Sequence, residues 1–563
     1  MPYRSPVAEL RFILDKVVPL APVAATDLFA EATGDTVEAI LTEAARLCDE
    51  VMAPLNRNGD LSPPRLESGA VLASPGFRAA YQQIAEGGWV SVAGPVAYGG
   101  MGLPLTLAIA VNDMMAGANL ALQLNPLLTQ GQIEALEHHA SDALKQVYIP
   151  RLVSGEWAGT MNLTESQAGS DVGALRARAV PNGDGSYAVT GQKIFISWGD
   201  SDLTANICHL VLARLPDAAP GTKGISLFMV PKFIPDAAGD PGVANTVHVV
   251  SLEHKMGLHG SPTCVMAFEG ATGWLVGAPH KGMAAMFTMM NNARLNVGVQ
   301  GIGVAEAAYQ KASDYARDRV QFAPIINHAD VRRMLATMKA EVFAARSIAL
   351  ACAVALDMGR ATGDAIWADR GALLTPIAKA YGTDVGMAVA DQGIQIHGGM
   401  GFIEETGAAQ FFRDVRVTAI YEGTNGIQAM DLVGRKMMDG GKAVFRLLQE
   451  VEDEATSARN SLPDLAGDVW EAAETLREHT EWLLAQDNID RFAGAVPYLR
   501  AFARVLGGYY HLRAALSEGG AGPRTRLAAV YIRRLLPQVA ACLAEARVGA
   551  AGLYALSDDD LMS

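Results

Sequence analysis

The chain has 563 residues, 50% hydrophobic and 19% charged, with a formal net charge of −15. That length allows three or four globular domains, and the acidic balance argues against duplex nucleic acid as the main partner, which needs clustered cations. Five scattered cysteines (Cys48, Cys208, Cys264, Cys352, Cys542) form no Cys-x-x-Cys pair, so neither a disulfide framework nor a zinc site is expected, and the expected compartment is the reducing cytoplasm.

Residues 1–34 read as an N-terminal arm. The opening Met1-Pro2-Tyr3-Arg4-Ser5-Pro6, followed by Glu9 and Asp15, does not read as a secretory signal. Nowhere does an uninterrupted apolar run reach roughly 18 residues, so no bilayer span is expected. From Asp35, Val37, Ile40, Leu41, Ala44, Leu47, Cys48 and Val51 fall on one helical face. Residues 56–76 read as a loop, Phe77 to Ile84 as a helix ending at Gly87-Gly88, and Pro104 to Val153 as helices broken near Pro126. His138-His139 lies in this helical pattern without a His-x-x-x-His spacing, so no metal is expected. This gives an N-terminal helical domain over 35–158.

Between 159 and 280 the texture is that of a β domain. Ala174 to Val180, Tyr187 to Ile196, His209 to Leu215 and Ile225 to Val230 are short apolar or alternating runs, parted by turns such as Asn182-Gly183-Asp184-Gly185. Helical periodicity returns over 281–450, broken at Gln321 to His328 and at His397 to Gly401. The last segment, 451–563, reads as an appended helical domain with amphipathic stretches Trp470 to Leu484 and Arg524 to Val548. The Arg533-Arg534 pair in the second stretch fits a solvated or ion-paired face better than a nucleic-acid site. The fold class is α+β and multidomain.

Five constellations carry chemistry. Tyr421-Glu422-Gly423-Thr424 sets a carboxylate between an aromatic ring and a glycine, a place where burial can raise its pKa and make it a base toward carbon. Met161 to Val172, with Thr164, Ser166, Gly169 and Ser170, offers hydroxyl and backbone donors to a flat heteroaromatic or a phosphate; it also reads as an ordinary Ser/Gly loop. In Gly191 to Trp198, alternation puts Phe195 and Ser197 on one face, an aromatic wall beside a donor, or a core aromatic beside an exposed serine. Arg317-Asp318-Arg319-Val320-Gln321-Phe322 suits a diphosphate or a helix-end ion pair. Gln395-Ile396-His397-Gly398-Gly399-Met400-Gly401-Phe402 permits close backbone approach to a ligand, or simply ends a helix.

Taken in order, these motifs resemble the acyl-CoA dehydrogenase family over roughly residues 36–440. Gly87-Gly88-Trp89 with Pro95 and Tyr98-Gly99-Gly100-Met101-Gly102 is similar to its N-terminal signature, and Thr164-Glu165 through Asp171 to its first flavin signature. Arg319-Val320-Gln321-Phe322, Gln395 to Gly399 and Tyr421 to Thr424 are similar to its Arg-x-x-Phe element, Gly-Gly turn and catalytic loop. The resemblance implies a helical domain, a β domain and a helical bundle, with FAD clamped between the second and third. It implies that Leu163, Thr164, Gly169 and Ser170 meet the cofactor, Phe195 and Ser197 pack on the ring near N5, and Thr424 holds the cofactor. Arg319, Phe322, Gln395, Gly398 and Gly399 then bind the FAD diphosphate and adenosine across a dimer interface. Ser170, Arg294, Tyr421 and Gly423 contact the acyl-CoA. Glu422 removes the α-proton, its pKa held at about 6–7. Some family branches place the base just before an arginine on an earlier helix; in Asn291-Asn292-Ala293-Arg294 that position is Ala293, which leaves Glu422.

The N-terminal Tyr3 to Val18, the segment Glu253 to Thr263 and the long tail resemble a bacterial long-form branch. That likeness implies a 3-methylmercaptopropionyl thioester from dimethylsulfoniopropionate breakdown as substrate, or alternatively a short- to long-chain fatty acyl-CoA. It also implies an electron-transferring flavoprotein as acceptor and a homodimer or dimer of dimers. An acyl-CoA oxidase and a DNA-binding family member are the remaining alternatives.

Overall fold

The computed structural model describes residues 2–563. Two compact units divide them. One comprises Pro2–Ser5 with Ile40–Ala293, the other Pro6–Ala39 with Arg294–Ser563.

The helix Gly34–Leu47, which lies in the first unit from Ile40 on, and the turn that follows bury Leu41, Ala44, Leu47 and Cys48, as their spacing predicts. The expected loop over 56–76 is instead the end of a helix, Ala53–Leu61, and a hairpin, Arg65–Glu67 with Ala70–Leu72. Glycine 59 is a packing position there, since a Cβ would lie 2.7 Å from the Phe77 ring. The long helix Leu105–His139 runs through Pro126 and kinks at Asn119 (φ −161°, ψ 92°). Asn119 accepts from the Leu122 N–H and donates to Met52 O, so its side chain caps the helix that restarts behind it.

Seven strands form the sheet of this unit. Trp157–Asn162 runs parallel to Asn206–Arg214, and Tyr187–Ser197 pairs antiparallel with the 14-residue strand Thr263–Val276. Ile225–Pro231 pairs with both Asn206–Arg214 and Thr263–Val276, around a core that includes Val189, Ile196, Val211, Phe228 and Phe268. The strand expected over 174–180 shortens to Arg178–Pro181, because the Glu165 carboxylate takes the N–H groups of Arg176 and Ala177.

In the second unit, the expected arm is folded. Val7–Phe12 and Ile13–Val17 bury Leu10, Ile13, Leu14 and Val17. Three long helices, Gly282–Asp318, Ala329–Thr362 and Ala365–His397, carry the bundle. The tail adds Lys442–Ala458, Pro463–Leu484, Ala495–Ser517, Pro523–Arg534 and Gln538–Ala546. The single amphipathic stretch expected over 524–548 is thus two helices, and Arg533 meets Asp464 at 3.3 Å in an exposed pair.

Three segments are long and apolar enough to cross a bilayer. The apolar windows of Leu105–His139 and Ala329–Thr362 are 94% and 89% buried, so core packing accounts for them, while Pro523–Ala546 is 39% buried and divided into two helices.

Candidate active site

The loop Tyr421–Thr424 enters the helix Asn425–Val433, and the Thr424 hydroxyl caps it by accepting from the Ile427 N–H at 3.2 Å. Glu422 has a left-handed backbone (φ 56°), followed by Gly423 (φ 83°). Such a turn on a non-glycine residue is strained and persists only where its surroundings fix it. Here the buried Gln428 donates to the carbonyls of Glu422 and Gly423, 3.3 Å each, and the Tyr421 hydroxyl donates to Gln300. A Cβ on Gly423 would lie 2.7 Å from the Gln428 amide nitrogen and would push that amide off the carbonyls it donates to, while the φ by itself favours glycine.

The Glu422 carboxyl keeps some accessible surface but has protein on every side. Desolvation pushes its pKa up to about 7, against the pull of Arg294 and Lys379. Both cations are themselves buried, Arg294 6% and Lys379 0% exposed. Burial lowers the Lys379 ammonium to about 8, although Glu422 and Asp384 raise it. Burial also lowers Arg294, opposed by Asp431 and Glu422. Lys379 donates to Asn425 Oδ1 at 2.9 Å, and the Asn425 amide donates to Asp384 at 2.7 Å. The sequence reading missed Lys379 and Asn425. The available signal was a lone lysine inside the apolar run Leu373 to Tyr381.

The other candidate residues fall into separate groups. In the Ile40–Ala293 unit, Leu163 and Thr164 are half-buried, and their carbonyls accept from Lys193 Nζ (3.0 Å) and Ile194 N (2.9 Å). Glu165 pairs with the fully buried Lys193 at 2.8 Å and fastens this segment to the sheet. Burial opposes ionisation of both, and Lys193 still holds the Glu165 carboxyl below the usual range. Gly169 and Ser170 are exposed, and a Cβ on Gly169 would meet nothing. Phe195 is 60% exposed at φ 61°, in a bulge where the pairing slips from Ile196↔Cys264 to Lys193↔Met266. Strict alternation would have put Lys193 on the face of Phe195; the bulge buries the lysine and turns the ring outward beside half-buried Ser197.

In the other unit, Arg319 is exposed and forms no ion pair among the described residues, and Phe322 at the tip of the hairpin Val320–Pro324 is fully exposed at φ 63°. Gln395 is exposed at the end of Ala365–His397, where its carbonyl accepts from the Gly398 N–H. Beyond Gly398 and Gly399 a Cβ would find open space. Each unit by itself offers an exposed ring at a strained turn and uncrowded glycines, and the second adds the Arg319 guanidinium, features that fit an anionic cofactor with flat ring systems. The residues present therefore suit FAD.

Four family matches cover the chain: acyl-CoA dehydrogenase N-terminal domain (34–156), middle domain (160–271) and C-terminal domain (280–438), and acetyl-CoA dehydrogenase C-terminal like (447–557). The chain is 44% identical to a 3-methylmercaptopropionyl-CoA dehydrogenase of Ruegeria pomeroyi, covering 89% of this chain and 88% of that protein. It is 35% identical to a butyryl-CoA dehydrogenase of Syntrophomonas wolfei, covering 80% and 78%. Among solved structures, Caenorhabditis elegans ACDH-11 in complex with C11-CoA superposes with a TM-score of 0.81 at 21% identity, covering 94% of this chain and 91% of that one, a likeness of fold. The chain belongs to the acyl-CoA dehydrogenase family, as an FAD-dependent oxidoreductase of acyl-CoA thioesters.

Proposed function

We propose that this chain oxidises 3-methylmercaptopropionyl-CoA to methylthioacryloyl-CoA, with Glu422 as the base. The observation that carries the reading of the base is the Glu422 carboxyl, fixed on a strained loop and held near neutral, so that it can accept a proton at working pH. The substrate rests on the likeness to the Ruegeria protein over most of both chains. A saturated fatty acyl-CoA is the second reading, favoured by the likeness to the butyryl-CoA enzyme.

Glu422 takes the proton from the carbon next to the thioester, and the C–H electron pair becomes half of the new double bond. When bound, FAD would supply the acceptor for the hydrogen of the next carbon together with its electron pair. Among the described residues the Glu422 N–H has no hydrogen-bond acceptor; it donates to the thioester oxygen as negative charge builds there. Tyr421, Gly423 and Arg294 shape the acyl site, and Ser170 meets the pantetheine arm. Leu163, Thr164, Gly169, Phe195, Ser197 and Thr424 hold the flavin. Arg319, Phe322, Gln395, Gly398 and Gly399 hold the diphosphate and adenosine across a homodimer interface. We read the chain as segments 1–34, 35–158, 159–280, 281–450 and 451–563, working in the cytoplasm with an electron-transferring flavoprotein as acceptor.

Anaerobic mixing with a panel of acyl-CoAs, watched by flavin absorbance, tests this. The methylmercapto substrate should bleach the flavin fastest. Glu422→Gln should stay yellow and lose at least about 10³-fold in bleaching rate. Unimpaired bleaching by that variant would reject the base.

A further inference from the structure

The buried charges behind Glu422 belong to a chain of contacts that leads into the C-terminal segment. Lys379 and Asp384 stand on the helix Ala365–His397, one turn and a residue apart. Between them sits Asn425, the first residue of the helix that follows the Glu422 loop. Its amide is read from both ends: Oδ1 accepts from Lys379 Nζ at 2.9 Å, and Nδ2 donates to Asp384 Oδ1 at 2.7 Å and to Ala380 O at 3.3 Å. With the lysine on one side and the carboxylate on the other, only one orientation of the amide satisfies both. Asp384 is met from outside by Arg500 Nε at 3.6 Å, on the helix Ala495–Ser517.

A fully buried ammonium is costly unless something requires its charge. Among the described residues the one side-chain hydrogen bond of Lys379 is to a neutral amide, and Glu422 and Asp384 favour its charge through space against the pull of burial. An ordinary packing role would be filled better by leucine. The charged and titratable groups recorded around the carboxyl come from three helices and the loop itself. Arg294 comes from the helix Gly282–Asp318, Lys379 and Asp384 from Ala365–His397, and Asp431 with Arg435 (2.6 Å apart) from Asn425–Val433 and its end, while Tyr421 is the neighbour within the loop. Arg435 spends its charge on Asp431, which leaves Arg294 and Lys379 as the cations that act on Glu422.

We propose that Lys379 is a positioning residue for Glu422: it is held by Asn425, the first residue of the helix behind the Glu422 loop, which Asp384 and, from the appended segment, Arg500 hold in turn, and so it sets a fixed positive charge behind the carboxyl during proton removal. This rests on the reading of Glu422 as the base. It also gives part of the appended segment a role in the reaction, since Arg500 supports Asp384 from the far side.

The test is the pH profile of anaerobic flavin bleaching by an acyl-CoA, in the FAD-loaded full-length enzyme. Lys379→Met should keep its flavin spectrum and move the acid limb of the rate upward by about one pH unit, because an uncompensated buried carboxyl holds its proton longer. At pH 7 the rate should fall about 5- to 10-fold, with KM changed less than about threefold. Lys379→Arg, which keeps the charge, should return the limb most of the way. Asp384→Asn should move it in the same direction by a smaller amount, and it supplies the reading if Lys379→Met folds poorly. An unmoved limb in Lys379→Met or, failing that, in Asp384→Asn overturns the proposal, provided Glu422→Gln still abolishes bleaching. Bleaching that survives Glu422→Gln removes the base itself, a different failure.

Discussion

A carboxyl held near neutral inside protein costs the fold something, and the cost depends on pH. In the unfolded chain Glu422 has its ordinary pKa of 4.5; folded, desolvation raises it to about 7. The folded form therefore binds the proton more tightly, so this side chain favours folding below pH 4.5, and the advantage is lost as pH rises through 7. Glu422→Gln removes the ionisation. The variant should melt within about 1 °C of the parent near pH 5 and roughly 1–3 °C above it at pH 8, as followed by calorimetry of the FAD-loaded protein. A parent that gains on the variant as pH rises would mean that Arg294 and Lys379 more than offset the desolvation. At this scale the sequence was partly legible. Glu422 announced itself through Tyr421 and Gly423, because strained loops carry small residues. Lys379 did not, because its meaning comes from Asn425, 46 positions later.

Elements were legible where one face meets water and hidden where none does. The helix Gly34–Leu47 shows a stripe because its other face is solvated. Ala495–Ser517 was missed because almost every turn is buried, Tyr498, Phe502, Val505, Leu506 and Leu512 among them, which leaves no period to read. The bulge at Phe195 depends on pairing with Thr263–Val276, a partner strand beyond any local window. The kink in Leu105–His139 was expected at Pro126, yet proline only withholds a donor, while Asn119 supplies a competing cap. Asn119→Ala leaves the Leu122 N–H and the Met52 carbonyl without their side-chain partners in a fully buried place. It should cost about 1–3 kcal/mol in urea unfolding. Asn119→Asp, which keeps the acceptor and loses the donor, should not restore full stability. Were Asn119→Ala neutral, the kink would be set by packing alone.

At the scale of the molecule, chain ends far apart in sequence share one compact unit, joined by partly buried charge. Glu9, from the first helix, meets Arg524 at 2.5 Å and Arg346 at 3.5 Å, and Arg346 is also held by Glu306 at 3.0 Å. The Arg524 guanidinium lies 4.3 Å from the Phe12 ring centre, and a second cluster joins Arg504 to Glu341 and Tyr381. Burial alone would raise the Glu9 carboxyl, but Arg524 and Arg346 override it and hold the group below its ordinary 4.5. The stabilisation is thus present above pH 4.5 and lost as pH falls through the lowered value. Removing Glu9 leaves the half-buried Arg524 beside two aromatic rings without a carboxylate partner among the described residues, while Arg346 keeps Glu306. Because one of the two arginines stays paired, Glu9→Gln should cost about 2 kcal/mol near pH 7, below the range for a wholly stranded buried charge. Arg524→Met should cost a similar amount, and the double variant should cost clearly less than the two together, since each loss already includes the other's broken contact. Urea unfolding of the four proteins, followed by the fluorescence of Trp470 and Trp482 in the appended segment, measures the cycle. Strict additivity would mean that Glu9 and Arg524 only neighbour each other, leaving Arg346 and the apolar packing of Leu10, Ile13, Leu14 and Val17 to fasten the N-terminal helices to the rest of the unit.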